Sequence, residues 1–401
     1  MRGVVVRLAA PAAVLLVATA AAANAQIAVS ANDAKVKLVN GKVEVAKSPP
    51  ADTVAFIDLR ANPPKVLAEL EVPASVVGPP MSVAVSPKED LALVTAATRI
   101  DPEDATKTIP DDKLTVIDLK PLKPGFFKRL LSNEPPPAPK VLTTLKAGKG
   151  AATVSINKAG TLALVANRAE GTISVFTIAG ADVVPAGKVT VGGEKSGPSG
   201  IAFTPDGKTA LVTLDADNKI LVLSVDGTRV EPTSRVIFAG LRPYGIDVTP
   251  KGEVAVVANI GMGGGDTDTI SVIDLKAEPA RVVNTYTVGQ TPEGIKISPD
   301  GKYVAVIANN GSNLTPESPF FNRNGLLQVW TRNANQLAKT AELPIGRWCQ
   351  GIAWSSNGRT VLAQCMVEEE IVVARFTGRA LEKVGSIKTK GGPAGIRTAE
   401  P

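Results

Sequence analysis

"TPEGIKISPDGKYVAVIANNG", residues 291–311, contains a glycine, a short apolar run, a Pro-Asp-Gly turn and a second apolar run ending in Ala-Asn. "GIKIS" alternates and reads as a strand. "PDG" reads as a hairpin turn, with proline presetting φ and glycine supplying a positive φ. "YVAVIA" reads as a buried strand rich in β-branched residues. The unit recurs as "MSVAVSPKED" (81–90), "ATVSINKAG" (152–160), "SGIAFTPDGK" (199–208), "YGIDVTPKGE" (244–253), "QGIAWSSNGR" (350–359) and "AGIRTAEP" (394–401). Its equivalent positions, Ser82, Thr153, Gly200, Gly245, Gly294, Gly351 and Gly395, stand 44 to 71 residues apart. That is room for four strands and their turns, which is one propeller blade.

Seven such units predict an all-β, seven-bladed β-propeller over residues 26–401. The final unit stops after its first strand. The segment 35–59, with an Asn40-Gly41 hairpin turn, reads as the strands it lacks, and 65–72 continues it. The ring is therefore expected to close by pairing N-terminal strands with the C-terminal one, which removes exposed sheet edges. Residues 1–25 read as a secretory signal peptide. Arg2 and Arg7 precede an apolar run, and Ala23-Asn24-Ala25 is a small-x-small cleavage site. The periplasm is the expected address.

The endings of the second strands, "LALVANRAEGTISVF" (162–176), "VAVVANIG" (254–261) and "VAVIANNG" (304–311), resemble the YVTN family of propeller repeats, as do "DTISVIDL" (268–275) and "KLTVIDL" (113–119). The outline is also similar to bacterial lactonases, streptogramin lyases, cytochrome d1-type propellers and the heavy chain of methylamine dehydrogenase. The resemblance implies the fold. It leaves function open, because such propellers host unrelated activities.

Candidate functional residues gather on one face. There the connections between blades meet three long loops, 97–113, 259–269 and 309–325. Arg242, Tyr244, Glu293, Arg347 and Trp348 precede or begin inner strands on that face and are the expected ligand- or partner-binding residues. Asn167, Asn259 and Asn309 end strands nearby and read as strand terminators. Asp266 and Asp268 are weak calcium candidates within a Gly-rich loop that lacks the P-loop ending. On the opposite face, Phe126, Phe127, Lys128 and Arg129 form a short basic-amphipathic patch suited to a membrane surface or a partner groove. Cys349 and Cys365 bracket a hairpin and are expected to form a disulfide.

The 401 residues include no histidine, and the net charge is only +6. Nucleic acid is not an expected partner. Histidine-dependent catalysis and metal ligation are excluded, no C-x-x-C-H haem motif is present, and no cofactor is expected. The reading drawn from this absence is an exported, non-catalytic binding scaffold for a periplasmic protein or small ligand. The alternatives are a lactonase- or lyase-like enzyme that works without histidine, through carboxylates or lysine such as Asp247, Lys296 and Glu293, or a scaffold subunit of a periplasmic dehydrogenase or electron-transfer complex.

Overall fold

The computed structural model describes residues 27–123 and 136–400. Seven four-stranded antiparallel sheets form a ring, each running from an inner strand A to an outer strand D. The inner strands of blades one to six are Val83–Val85, Ala151–Ile156, Pro198–Phe203, Pro243–Val248, Pro292–Ile297 and Cys349–Trp354. Blade seven takes strand A, Gly392–Arg397, from one end of the chain. Strands B, C and D, Ile27–Asp33, Thr53–Asp58 and Lys65–Glu71, come from the other. At this seam Val29 pairs with Arg397, Ser30 with Ile396 and Ala31 with Gly395. All seven residues of Ile27–Asp33 are buried.

The seam strand is not the one the sequence suggested. The Asn40-Gly41 turn does join a hairpin, Val36–Val39 with Lys42–Val45, but this is a separate two-stranded sheet inserted between strands B and C of blade seven. It lies on the loop-bearing face. Val36 and Leu38 pack with Val76, Trp348, Met366 and Ala394, and Gly41 abuts Leu314 and Thr315 of blade five. The insertion 97–113 also differs from expectation. It extends strands B and C of blade one into a longer hairpin, Leu91–Ile100 with Thr108–Asp118.

Burial follows the period of the strands. B strands such as Leu162–Asn167 and Val254–Asn259 are buried throughout, because both faces pack on neighbouring blades. D strands are largely exposed, and every C–D pair carries a register shift that twists the edge away from flat pairing. The repeated glycine of strand A has a steric cause. A Cβ on Gly245 would sit 2.7 Å from the Glu293 carbonyl oxygen of the next blade, and Gly200 and Gly294 meet the neighbouring Tyr244 and Gln350 carbonyls more tightly still. Inner strands thus converge backbone to backbone.

Cys349 and Cys365 lie directly opposite each other in register and are joined by a disulfide. The signal-peptide reading and the 126–129 patch fall outside the described residues. No helix among the described residues is long and apolar enough to cross a membrane. Closing a loop of separation 16 removes unfolded-state entropy, so replacing both cysteines by serine is expected to cost about 3 kcal/mol or more in a urea titration of non-reduced protein.

Candidate active site

Where strand A begins, at the mouth of the channel, every blade but the first has a bulge in its pairing with strand B. The shift lies between Pro243 and Ile246 in blade four, Pro292 and Gly294 in blade five, and Cys349 and Ile352 in blade six. Bulges of this kind re-aim side chains. The residues just before the repeated strand-A position are Met81, Ala152, Ser199, Tyr244, Glu293, Gln350 and Ala394, all buried. Blades seven, one and two contribute apolar groups. Blades three to six contribute a hydroxyl, a phenol, a carboxyl and an amide.

Two residues before this position the backbone is left-handed. Blades two and three use Gly150 and Gly197 there. Blades four to six place Arg242 (φ 55°), Thr291 (φ 51°) and Trp348 (φ 45°) in the same conformation. A side chain in this region costs roughly 1–2 kcal/mol, and for β-branched Thr291 the conformation is unusual. Strain of this sort collects at functional sites. Each residue is held by a side-chain acceptor on its N–H. Asn218 Oδ1 accepts from Arg242 at 2.9 Å, Asp268 Oδ2 from Thr291 at 2.8 Å, and Ser312 Oγ from Trp348 at 3.1 Å.

Asp215 organises the positive side of the mouth. It accepts Arg168 Nη1 at 2.7 Å and Nη2 at 3.0 Å, Arg242 Nη2 at 2.9 Å and Ser199 Oγ at 3.0 Å. Burial alone would raise its carboxyl, but the arginines and Ser199 outweigh this and hold it below the usual range. The Arg168 guanidinium also lies 5.6 Å from the centre of the Tyr244 ring, a cation–π contact. Arg242 keeps 34% of its side chain exposed, with donors free of Asp215.

Glu293 faces this positive side from blade five. Burial pushes its carboxyl up to about 7, against hydrogen bonds from Asn309 and Trp348 and the field of Arg242. Asn309 Nδ2 donates to Glu293 Oε1 at 2.7 Å. The equivalent Asn167 and Asn259 instead bond hydroxyls of their own strand C, Thr172 with Ser174 and Thr269 with Ser271. In blade five Gly325 and Leu327 stand at those places, so the Asn309 amide is left for Glu293. Its role therefore differs from that of a strand terminator.

Of the five residues singled out in the sequence, Tyr244, Glu293 and Trp348 are buried and only Arg242 and Arg347 remain half-exposed. The inserted hairpin covers Trp348 on the side of blades five to seven. Arg347 stands slightly apart. Its guanidinium lies 5.7 Å from the centre of the Phe321 ring and bonds the Ser312 carbonyl at 3.3 Å. Asp268 is occupied by the Thr291 N–H, and no group of three or more potential metal ligands occurs among the described residues. Asp247 and Lys296 pair at 3.1 Å, near the far end of the channel. Arg168 and Asp215 escaped the sequence reading. Both follow strand B endings directly, in "VANR" and "VTLD", which was the one available signal.

Asp215→Ala leaves Arg168 and Arg242 without their shared carboxylate. An urea titration at pH 7 is expected to show a loss of about 3 kcal/mol. Stability contributed by Asp215 is present at neutral pH and declines as acid titrates it, so the variant and the parent converge at low pH.

Comparison with known proteins bears on the chemistry. The family model described as Lactonase, 7-bladed beta-propeller matches residues 127–237 and 194–325. These spans hold Arg168, Asp215, Arg242, Tyr244, Glu293 and Asn309. No curated protein matches the sequence. A solved structure named as a candidate 6-phosphogluconolactonase from Bacteroides uniformis superposes with a TM-score of 0.69 at 17% identity, over 94% of this chain and 99% of that one. The periplasmic gluconolactonase PpgL of Pseudomonas aeruginosa gives 0.65 at 14%, over 93% and 98%. Hydrazine synthase of Kuenenia stuttgartiensis gives 0.59 at 17%, over 82% and 91%. Identities this low establish the fold alone.

The expectation of a non-catalytic scaffold is overturned by the family match, which points to lactonase-like enzymes. It weighed the missing histidine above Glu293, Asp247 and Lys296 as sources of a base near neutral pH. A carboxyl raised to about 7 by burial meets that requirement. The lactonase model covers just under half of the chain, and the part it covers holds all of the charged groups assembled at the channel mouth except Arg347.

Proposed function

We propose that the protein is a lactonase-type hydrolase acting at the channel mouth, with Glu293 as general base and Arg242 as the group that stabilises the oxyanion. The observation that carries this reading is Glu293 itself. It is a buried carboxyl poised near neutrality, oriented by Asn309 and faced by an arginine with free donors. The substrate class is a cyclic ester, and the names of the neighbours point to aldonolactones.

Each atom has a place in the step. Glu293 takes a proton from water as its oxygen bonds to the lactone carbonyl carbon. The carbonyl oxygen becomes an oxyanion beside the Arg242 guanidinium, a preorganised charge in a partly dry site. The ring carbon–oxygen bond then breaks, and the alkoxide takes the proton back from Glu293. The product is a hydroxy acid whose carboxylate pairs with arginine. Tyr244, held protonated by burial, and Trp348 form walls rather than acid–base groups. Export is part of the proposal. A disulfide suits an oxidising compartment, and the YVTN-like strand endings are read as its blade signature.

Hydrolysis of glucono-δ-lactone in a pH-stat, corrected for spontaneous ring opening, tests this. The parent's kcat/KM is expected to rise through a single ionisation near pH 7. Glu293→Gln is expected to lower it by roughly 10²–10⁴-fold and Arg242→Ala by roughly 10²-fold or more. A parent rate no greater than the spontaneous one on any aldonolactone would refute the reading. Stability moves the other way. The folded carboxyl keeps its proton up to about 7 against an ordinary 4.5, so the contribution of Glu293 is greatest below pH 4.5 and is lost as pH rises to 7. Glu293→Gln is therefore expected to have a higher Tm than the parent at pH 8.

A further inference from the structure

At the end of the channel opposite the mouth, the second halves of the inner strands enclose a chamber of about 100 Å³, walled by apolar groups such as Phe203, Ile246, Val248 and Trp354. Five charged groups line it: Lys158, exposed at its rim, and Asp247, Lys296, Arg397 and Glu400. Their roles differ. Asp247 is fixed in the wall, accepting the Ile297 N–H at 2.7 Å and Lys296 Nζ at 3.1 Å. Lys296 is 12% exposed, and Trp354 Nε1 holds its carbonyl at 3.2 Å. Arg397 is 7% exposed and donates only to main-chain carbonyls, Pro80 at 3.3 Å and Ile396 at 2.9 Å. Among the described residues no carboxylate lies within ion-pair distance of it.

Glu400 is the odd member. It belongs to the segment that follows strand A of blade seven, which turns into the chamber. Its side chain is 58% exposed and reaches Lys296 Nζ at 2.5 Å. Desolvation against the chamber wall opposes its ionisation, but Lys296 and Arg397 outweigh this and hold its carboxyl below the usual range. Without Glu400 the chamber would hold three cations, Lys158, Lys296 and Arg397, against the single anion Asp247, which would alone offset the buried guanidinium of Arg397. A buried charge in that condition is costly. An ammonium and a guanidinium converging on one small, apolar-walled space form the donor set that a carboxylate fits.

We propose that this chamber is a second site, distinct from the channel mouth, for a small monocarboxylate, and that Glu400 is its tethered occupant. The carboxylate of the free ligand takes the place of the Glu400 side chain between Lys296 and Arg397, and its short hydrocarbon end lies against Trp354 and the apolar wall. A tethered group acts at a local concentration in the millimolar range, so Glu400 and the free acid compete.

Isothermal titration with acetate and propionate, at constant ionic strength, decides the matter. Glu400→Ala and Glu400→Gln are expected to bind both acids about tenfold or more tightly than the parent, with chloride binding far more weakly. Adding Arg397→Gln to Glu400→Ala is expected to abolish binding while the circular dichroism spectrum stays that of the parent. Lys296→Met in the same background gives an independent second loss. Equal affinity in parent and Glu400 variants would overturn the proposal. So would chloride binding as tightly as acetate, or binding that survives both Arg397→Gln and Lys296→Met. Because the readout is binding, it is independent of whether the mouth hydrolyses lactones.

Discussion

Seven inner strands can surround one axis only if neighbouring backbones almost touch. Gly245 shows the constraint, since any side chain there would collide with the carbonyl of Glu293 in the next blade. The same crowding repeats at Gly200 and Gly294. It is relieved at the mouth by the strand A bulges of blades two to seven, which re-aim side chains there. The burial that raises the Glu293 carboxyl is thus a consequence of how tightly the ring is drawn together. The site needs the closed ring, and the ring needs the seam in which the two ends of the chain share blade seven.

The mouth is asymmetric even though the fold is repetitive. Blades two and three keep glycine at the left-handed position, while blades four to six carry Arg242, Thr291 and Trp348 there and accept the strain. Blades three to six also supply Ser199, Tyr244, Glu293 and Gln350. Cross-blade bonds, from Arg242 to Asp215 and from the Trp348 N–H to Ser312, tie these positions together. Function is written on the repeat as a departure from it.

The repeat itself was legible because each strand and turn announces its period locally. "PDG" turns, alternating strands and recurring glycines give seven blades without any long-range information. The cysteine pair was legible for the same reason, since one hairpin brings both residues into register. The hairpin at Asn40-Gly41 misled because it carries the same local signals as a blade hairpin. Only the packing of Val36 and Leu38 on Trp348 shows that it is an insertion. Arg168 and Asp215 could not be paired from sequence, because they come from different blades. Glu293 was visible at the mouth, but its proton affinity depends on burial by neighbouring blades, which no local pattern encodes. That is why counting histidines led to the wrong functional class.

The claim on which the account rests is that ring packing holds one carboxyl at the channel mouth near neutrality. It is most directly tested by following the side-chain carboxyl carbon of Glu293 by NMR across pH 3 to 9, in uniformly labelled protein assigned with the Glu293→Gln variant. The account predicts a single titration centred at about 7. A midpoint near the ordinary 4.5 would mean that the carboxyl is well solvated, and it would contradict both the burial argument and the catalytic role built on it.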